Sequence, residues 1–214
     1  GRELRLNKID SLLGPGMNIH RNPLNGRNFE YISEDPLLTG RICAAQVKAM
    51  AKSEIGSTIK HFCGNNQEVG RSTSDSVMSE RCLREIYLKG FEIAITESQP
   101  MSIMTSYNLI NGVHAANCED TCTKAARCEW GFQGVIMTDW TTTEYGPDCT
   151  ASGCMRAGND LVMPGAFSDR DNLNQELADG TLSMEDLKAC ISRLVNITWQ
   201  SMEFEDAAPY KKVK

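Results

Sequence analysis

The chain has no apolar run approaching the roughly 20 residues that a membrane-spanning helix needs, which excludes that class and any membrane partner. It has no Lys/Arg cluster apart from Lys211, Lys212 and Lys214 at the end. With a formal net charge of −6, it presents no electrostatic footprint for nucleic acid. Gly14-Pro15-Gly16 lacks both the spacing and the Lys-Ser/Thr of a phosphate loop, which argues against nucleotide binding. Among the nine cysteines, Cys118, Cys122, Cys128, Cys149 and Cys154 invite a metal reading, but no pair has the two-residue gap of structural zinc sites. No metal and no cofactor are expected. An odd number of cysteines scattered through a core of ordinary size reads as reduced thiols in a reducing, cytoplasmic compartment. The start, Gly1-Arg2-Glu3-Leu4-Arg5, has neither an initiating Met nor a signal-peptide core, and reads as a cut in a longer chain. Asn196-Ile197-Thr198 matches a glycosylation sequon within a helical pattern and carries little weight.

What the 214 residues do contain is one sizeable core, or part of one, in strict alternation. Ser11-Leu12-Leu13 forms a short strand that runs into a polar loop bearing His20, Arg21, Arg27 and Glu30. Asp35-Pro36, an N-cap followed by Pro at the first helical position, opens a helix to about Ser53 with Leu38, Ile42, Ala45 and Ala49 at helical spacing. Ser57 to Phe62 is a second strand, and Gly64 to Ser76 a polar loop. Ser79 to Thr96 is a helix, Met101 to Tyr107 a third strand, and Asn108 to Gly112 a loop. Asn117-Cys118-Glu119-Asp120 is expected to cap a helix to about Trp130.

Val135-Ile136-Met137, with Gly134 before it and Asp139 after it, is the strand around which the rest is arranged. A helix near Thr150 to Ala157 follows, then a fifth strand Asp160-Leu161-Val162-Met163. Helices over about Asp169 to Leu177 and Ser183 to Met202 complete the pattern. This α/β chain, with about five parallel strands alternating with helices, fits an open sheet or an incomplete (β/α)8 TIM-like barrel. Residues 1–205 are assigned to one partial barrel domain and 206–214 to a C-terminal tail.

In parallel sheets ligands sit at the carboxyl ends of the strands. There this chain carries His20, Arg21 and Arg27 after the first strand, Lys60 and His61 on the second, Tyr107 after the third, and Asp139 with Trp140 after the fourth. One carboxylate among cations, imidazole, phenol and indole suits a saccharide, whose hydroxyls take charged hydrogen bonds and whose ring face takes an aromatic plane. Lys60 and Arg27 near Asp139 would keep it ionised, as a nucleophile requires. Taken singly, Asp139 also fits a helix N-cap, Lys60 a solvated strand end, and Tyr107 and Trp140 simple packing.

Five motifs in order resemble glycoside hydrolase family 3, its β-glucosidases in particular. They are Gly14-Pro15-Gly16-Met17-Asn18-Ile19-His20-Arg21; Gly26-Arg27-Asn28-Phe29-Glu30-Tyr31 with Ser33-Glu34-Asp35-Pro36; Lys60-His61-Phe62 with Asn65-Asn66-Gln67-Glu68; Ser106-Tyr107-Asn108 with Asn111-Gly112; and Gly134 to Trp140. The resemblance spans about Gly1 to Met202. It implies a TIM-like catalytic barrel, Asp139 as nucleophile, and Arg27, Lys60, His61, Tyr107 and Trp140 as sugar-binding residues. The loop after Lys60-His61-Phe62 reads Cys63-Gly64-Asn65-Asn66, which favours the glucosidase branch over N-acetylglucosaminidases with a loop His. It also implies that the acid/base Glu, one barrel strand and an early sugar-binding Asp lie outside this chain. Glu30, Glu68 and Glu144 are nearby acids in sequence, but none matches that Glu. The expected activity is retaining hydrolysis of terminal β-D-glucosyl residues in β-linked glucosides or oligosaccharides. The remainder of the parent polypeptide, or another copy, is expected to cover the open barrel edge. A non-catalytic carbohydrate-binding fragment is the alternative.

Overall fold

The computed structural model describes residues 1–201. A short helix α1 (Arg2–Leu6), which the sequence pattern did not announce, precedes β1 (Ser11–Leu12). Helix α2 (Pro36–Ala51) starts as expected: the Asp35 carboxylate accepts the backbone N–H groups of Leu37 and Leu38, and Pro36 sits at the first position. Strand β2 (Gly56–Phe62) follows, then β3 (Asp75–Ser76) inside the segment expected to be loop throughout. The helix expected from Ser79 is capped by the Ser79 hydroxyl and runs through α3 (Glu80–Cys82), a π-helical stretch Leu83–Tyr87 and α4 (Lys89–Ser98).

Strand β4 (Ser102–Thr105) leads into a hairpin, β5 (Leu109–Ile110) and β6 (Val113–His114), where a plain loop was expected. Its turn residues Asn111 and Gly112 both have positive φ, 49° and 83°, the geometry that an Asn-Gly pair adopts at least cost. The next helix, Asp120–Glu129, is π-helical and has no side-chain cap, contrary to the expected role of the 117–120 segment. Asn117 instead donates its side-chain amide to the Asp148 carbonyl.

Strand β7 (Val135–Met137) is followed by α5 (Thr142–Tyr145), α6 (Ala151–Ala157), α7 (Phe167–Asp179) and α8 (Met184–Thr198). The Thr150 and Ser183 hydroxyls cap α6 and α8. The expected fifth strand at 160–163 is reduced to a single parallel bridge between Leu161 and Met137. The Asp160 side chain takes the Ile136 N–H for itself, and Pro164 ends the segment without a donor. The expected tail at 206–214 lies outside the described residues.

Strands β1, β2, β4 and β7 form one parallel sheet in that order, so each crossover adds the next strand on the same side. Ile59, Ile103 and Ile136 stand abreast in register and are fully buried against Cys43, Val47, Phe91 and Phe132 on the helix side. Because the side-chain period is two, the next row, Lys60, Met104 and Met137, faces the other way, into the barrel. One row closer to the strand starts, the Thr58 hydroxyl meets those of Ser102 at 2.5 Å and Ser11 at 3.3 Å. The structure is an α/β parallel sheet forming part of a (β/α)8 TIM-like barrel, as the family resemblance implied where the alternation alone left an open sheet equally possible. All nine cysteines are free. Among the described residues no helix is long and apolar enough to cross a membrane.

Candidate active site

A cavity of about 190 Å³ opens at the carboxyl ends of β2, β4 and β7, lined by Leu13, Arg27, Lys60, His61, Arg71, Met104, Tyr107, Asp139 and Trp140. The nucleophile and the five sugar-binding side chains that the resemblance implied therefore meet in one place. The volume is below the roughly 300 Å³ at which sites for drug-sized ligands begin, which suits a single small polar molecule.

Consecutive strand residues normally face opposite ways, yet Lys60 and His61 both line this cavity. The cause is an irregularity in β2: the pairing with β4 slips between Lys60 and Phe62, so His61 drops out of register and is re-aimed. The segment after β1 secures the slip. Met17 N–H donates to the Lys60 carbonyl at 2.7 Å, and the Asn18 amide brackets His61, accepting its N–H at 2.8 Å and donating to its carbonyl at 2.9 Å.

Asp139 is 7 % exposed. It does not cap α5, whose N-cap is Thr141; its Oδ1 accepts the N–H of Trp140 at 2.7 Å, and Thr142 donates its hydroxyl to the Asp139 carbonyl. The other oxygen, Oδ2, faces His61 Nε2 at 3.6 Å. Burial pushes the Asp139 carboxyl up; the Trp140 N–H, the Tyr107 hydroxyl and the positive charges of Arg27 and Arg71 work against that rise. His61 is held neutral, first by burial and then by Arg27, Lys60 and Arg71, so its contact with Asp139 is not an ion pair. The protonated Tyr31 phenol lies 3.2 Å from His61 Nδ1. The same nitrogen lies 3.3 Å from Asn18 Oδ1.

The cations are held in turn. Arg27 pairs with Glu30, and Lys60 Nζ lies 3.6 Å from the second Glu30 oxygen. Arg71 was not singled out from the sequence, since it sits in the segment read as a polar loop. Its guanidinium lies 4.1 Å from the Tyr107 ring centroid and donates to Glu68 at 2.7 Å. Asn65 donates to the other Glu68 oxygen at 3.1 Å. The sequence signal available was an Arg three residues after Glu68, in the loop following the Lys60-His61 strand. Tyr107 donates its hydroxyl to the Trp140 carbonyl at 2.9 Å. Trp140 itself is 53 % exposed, an indole at the open rim.

His20 and Arg21, also placed at the mouth by their sequence position, are not among the cavity's lining residues. His20 Nε2 lies 3.0 Å from the Asn28 carbonyl, and Arg21 borders a separate polar cavity with Asn65, Asn66 and Asp75. Glu144 is exposed on α5, and neither Glu30 nor Glu68 lines the Asp139 cavity directly. Among the described residues Asp139 is the cavity's one carboxylate.

The chain is 50 % identical over 195 residues to a β-glucosidase of Ruminococcus albus, covering 88 % of this chain and 21 % of that protein. It is 40 % identical over 190 residues to an exo-α-(1→6)-L-arabinopyranosidase of Bifidobacterium longum, covering 89 % and 24 %. Among solved structures, β-glucosidase 3B from Thermotoga neapolitana in complex with glucose superposes with a TM-score of 0.89 at 41 % identity, over 98 % of this chain and 30 % of that one. The chain thus spans about a quarter of the length of the curated relatives it matches. The model of the glycosyl hydrolase family 3 N-terminal domain matches residues 1–197, and the chain belongs to that family.

Proposed function

We propose that this chain carries the nucleophile and the sugar-binding half of a retaining β-glycosidase of β-glucosidase type. The observation that carries this reading is Asp139, a buried carboxylate with its Oδ2 beside His61, at the bottom of a small cavity whose other polar walls are cations, a phenol and an indole. Asp139 attacks the anomeric carbon of a terminal β-D-glucosyl residue and forms a glycosyl-enzyme, which water later releases. Arg27, Lys60, His61 and Tyr107 grip the sugar hydroxyls, and Trp140 stacks on the ring at the rim.

Retaining hydrolysis needs a second carboxyl group about 5 to 5.5 Å from the first, to protonate the leaving oxygen. Among the described residues no Glu lines this cavity, and on the family resemblance we assign the acid/base to another part of the parent polypeptide. The same part, or a second copy, covers the open sheet edge beyond β1. A relative that is an arabinopyranosidase leaves room for a pentopyranose in place of glucose.

The test is trapping with a 2-deoxy-2-fluoro-β-glucoside bearing a good leaving group, which needs little acid assistance. It is run on this chain and on the full-length parent. A fluoroglucosyl adduct on Asp139 is expected in the parent, and in this chain if the pocket assembles alone. No adduct in either protein would leave carbohydrate binding without turnover as the function.

A further inference from the structure

The loops around the mouth of the sugar cavity carry apolar side chains that no described residue covers. Six large apolar side chains among the described residues are at least 79 % exposed, and four of them, Leu24, Phe29, Val69 and Val77, stand on these loops. Single exposed apolar residues are ordinary, but a concentration of them on one face marks a contact surface. The same loops supply the sugar cavity: Leu24 and Phe29 flank Arg27 in the chain, and Val69 stands two residues before Arg71.

Beside them lies the polar cleft that Arg21 borders, with a volume of about 570 Å³. Pro23 and Val77 line it, so the apolar rim and the cleft form one surface. Asn65, Asn66 and Asn108 line it too, all three buried. Their amide N–H groups are spent inward, on Glu68, on the Ile19 carbonyl, and on the Cys63 and Leu109 carbonyls. Those partners can only accept, which fixes the end of each amide that is oxygen, and all three oxygens are left without a partner. What this surface lacks is donors at its centre and apolar cover at its rim. Among the described residues no aromatic side chain lines the cleft, so a sugar ring finds no plane to stack on there. Aliphatic rim and amide floor together suit polypeptide.

The parent molecule has that polypeptide to spare, since this chain spans 21 to 24 % of the relatives compared above. It also has to bring a carboxyl group to within about 5 to 5.5 Å of Asp139. From below, the barrel is closed by the Ser11, Thr58 and Ser102 hydroxyls, so that group enters over the mouth. We propose that the apolar rim and the amide-lined cleft are the seat of the acid/base-bearing segment of the parent polypeptide. That segment sets hydrogen-bond donors into the cleft and apolar side chains on Leu24, Phe29, Val69 and Val77. The inference rests on the reading of Asp139 as nucleophile. Undocking removes protonation of the leaving oxygen and activation of water, and leaves the sugar grip and the attack of Asp139 in place.

The test puts two charges on the rim of the full-length parent, Val69→Asp with Val77→Asp, at positions that carry no part of the sugar site. Here kcat/KM for a β-linked glucose disaccharide, which needs the acid, is expected to fall about a hundredfold or more, and that for 2,4-dinitrophenyl β-glucoside, which does not, to stay within about threefold. Azide needs no general base. It attacks the anomeric carbon as the bond to Asp139 breaks, and is expected to restore kcat on the dinitrophenyl substrate with β-glucosyl azide as product. Equal losses on both substrates, or no loss on either, would overturn the proposal. Hydroxyl-radical footprinting of the wild-type parent decides the seat without any variant: Leu24, Phe29, Val69 and Val77 are expected to lose their labelling in the folded monomer. Labelling as ready as in the denatured parent would overturn the seat. So would protection that disappears on dilution, which indicates a second copy, or protection that needs added oligosaccharide. A parent that forms no fluoroglucosyl adduct on Asp139 would instead overturn the functional reading, while the footprint still reports the seat.

Discussion

Glu30 and Lys60 come from different segments and meet across the mouth of the barrel, with the Glu30 carboxylate shared between Lys60 Nζ at 3.6 Å and Arg27. Both cations line the sugar cavity, so Glu30 sets their spacing without lining it itself. Glu30→Gln removes the charge that holds two like charges together. Glucose affinity of the full-length enzyme is expected to fall about tenfold, or about 1.4 kcal/mol, measured by calorimetry. An unchanged affinity would mean that the strand and loop backbones alone fix the two cations.

Arg71 acts on Asp139 as a charge and on Tyr107 as a plane, and two substitutions separate these effects. Arg71→Ala removes a positive charge that opposes the upward shift of the Asp139 carboxyl, so the acid limb of the kcat/KM profile is expected to move to higher pH. Arg71→Lys keeps the charge but loses the stacked fork on Tyr107 and Glu68. Its acid limb is expected to stay near that of the wild type while KM rises. A pH profile of each variant checks both, and identical profiles would remove Arg71 from the site.

The sequence made the central frame legible because the frame is local. Val135-Ile136-Met137 reads as a buried strand from its apolar and β-branched side chains, and Asp35-Pro36 specifies its helix start without help from the rest of the chain. The convergence of Lys60, His61, Tyr107 and Asp139 was readable from strand ends alone. Arg71 was not, because its place depends on a loop folding back over Tyr107, a contact 36 positions away that no periodicity records. The hairpin at Asn111-Gly112 had a turn signal, but its strands are two residues each, too short to alternate. The 160–163 strand failed for a tertiary reason: Asp160 is committed to arginines on two helices, and the ladder stops at one bridge.

The two titratable groups at the bottom of the site bear on stability with opposite signs. Asp139 has its folded pKa raised, so the native state holds the proton more tightly than the unfolded chain, and stability falls as pH rises through the folded pKa. At neutral pH the ionised carboxylate therefore costs stability, and Asp139→Asn is expected to raise the thermal midpoint while abolishing the fluoroglucosyl adduct. His61 has its folded pKa depressed. Its contribution is complete above the unfolded value of about 6.5 and is lost as pH falls below it, at up to about 1.4 kcal/mol per pH unit. Urea midpoints at pH 7 and 5 for wild type and Asp139→Asn check the two signs. A lower midpoint for Asp139→Asn at pH 7 would show that hydrogen bonds to the carboxylate outweigh its burial.

Asp160 carries the largest expected effect on stability. Its side chain is fully buried and holds Arg127 from the π-helical segment and Arg193 from α8, each at 2.7 Å, while also accepting the Ile136 N–H. One carboxylate thereby fastens two helices to the central strand at a point away from the sugar cavity. A buried ion pair adds little over a well-packed apolar group of the same size, but removal of one partner leaves the others desolvated and unpaired. Asp160→Asn leaves two guanidinium groups without a counter-charge, and Arg127 is already destabilised as a cation by burial. The expected cost is about 3 to 5 kcal/mol, a fall in thermal midpoint of about 6 to 20 °C for a domain of this size. Calorimetry of the variant measures it. A double variant, Asp160→Asn with Arg193→Leu, is expected to recover part of the loss, because it removes one of the stranded charges; no recovery would place the cost in the Ile136 hydrogen bond instead.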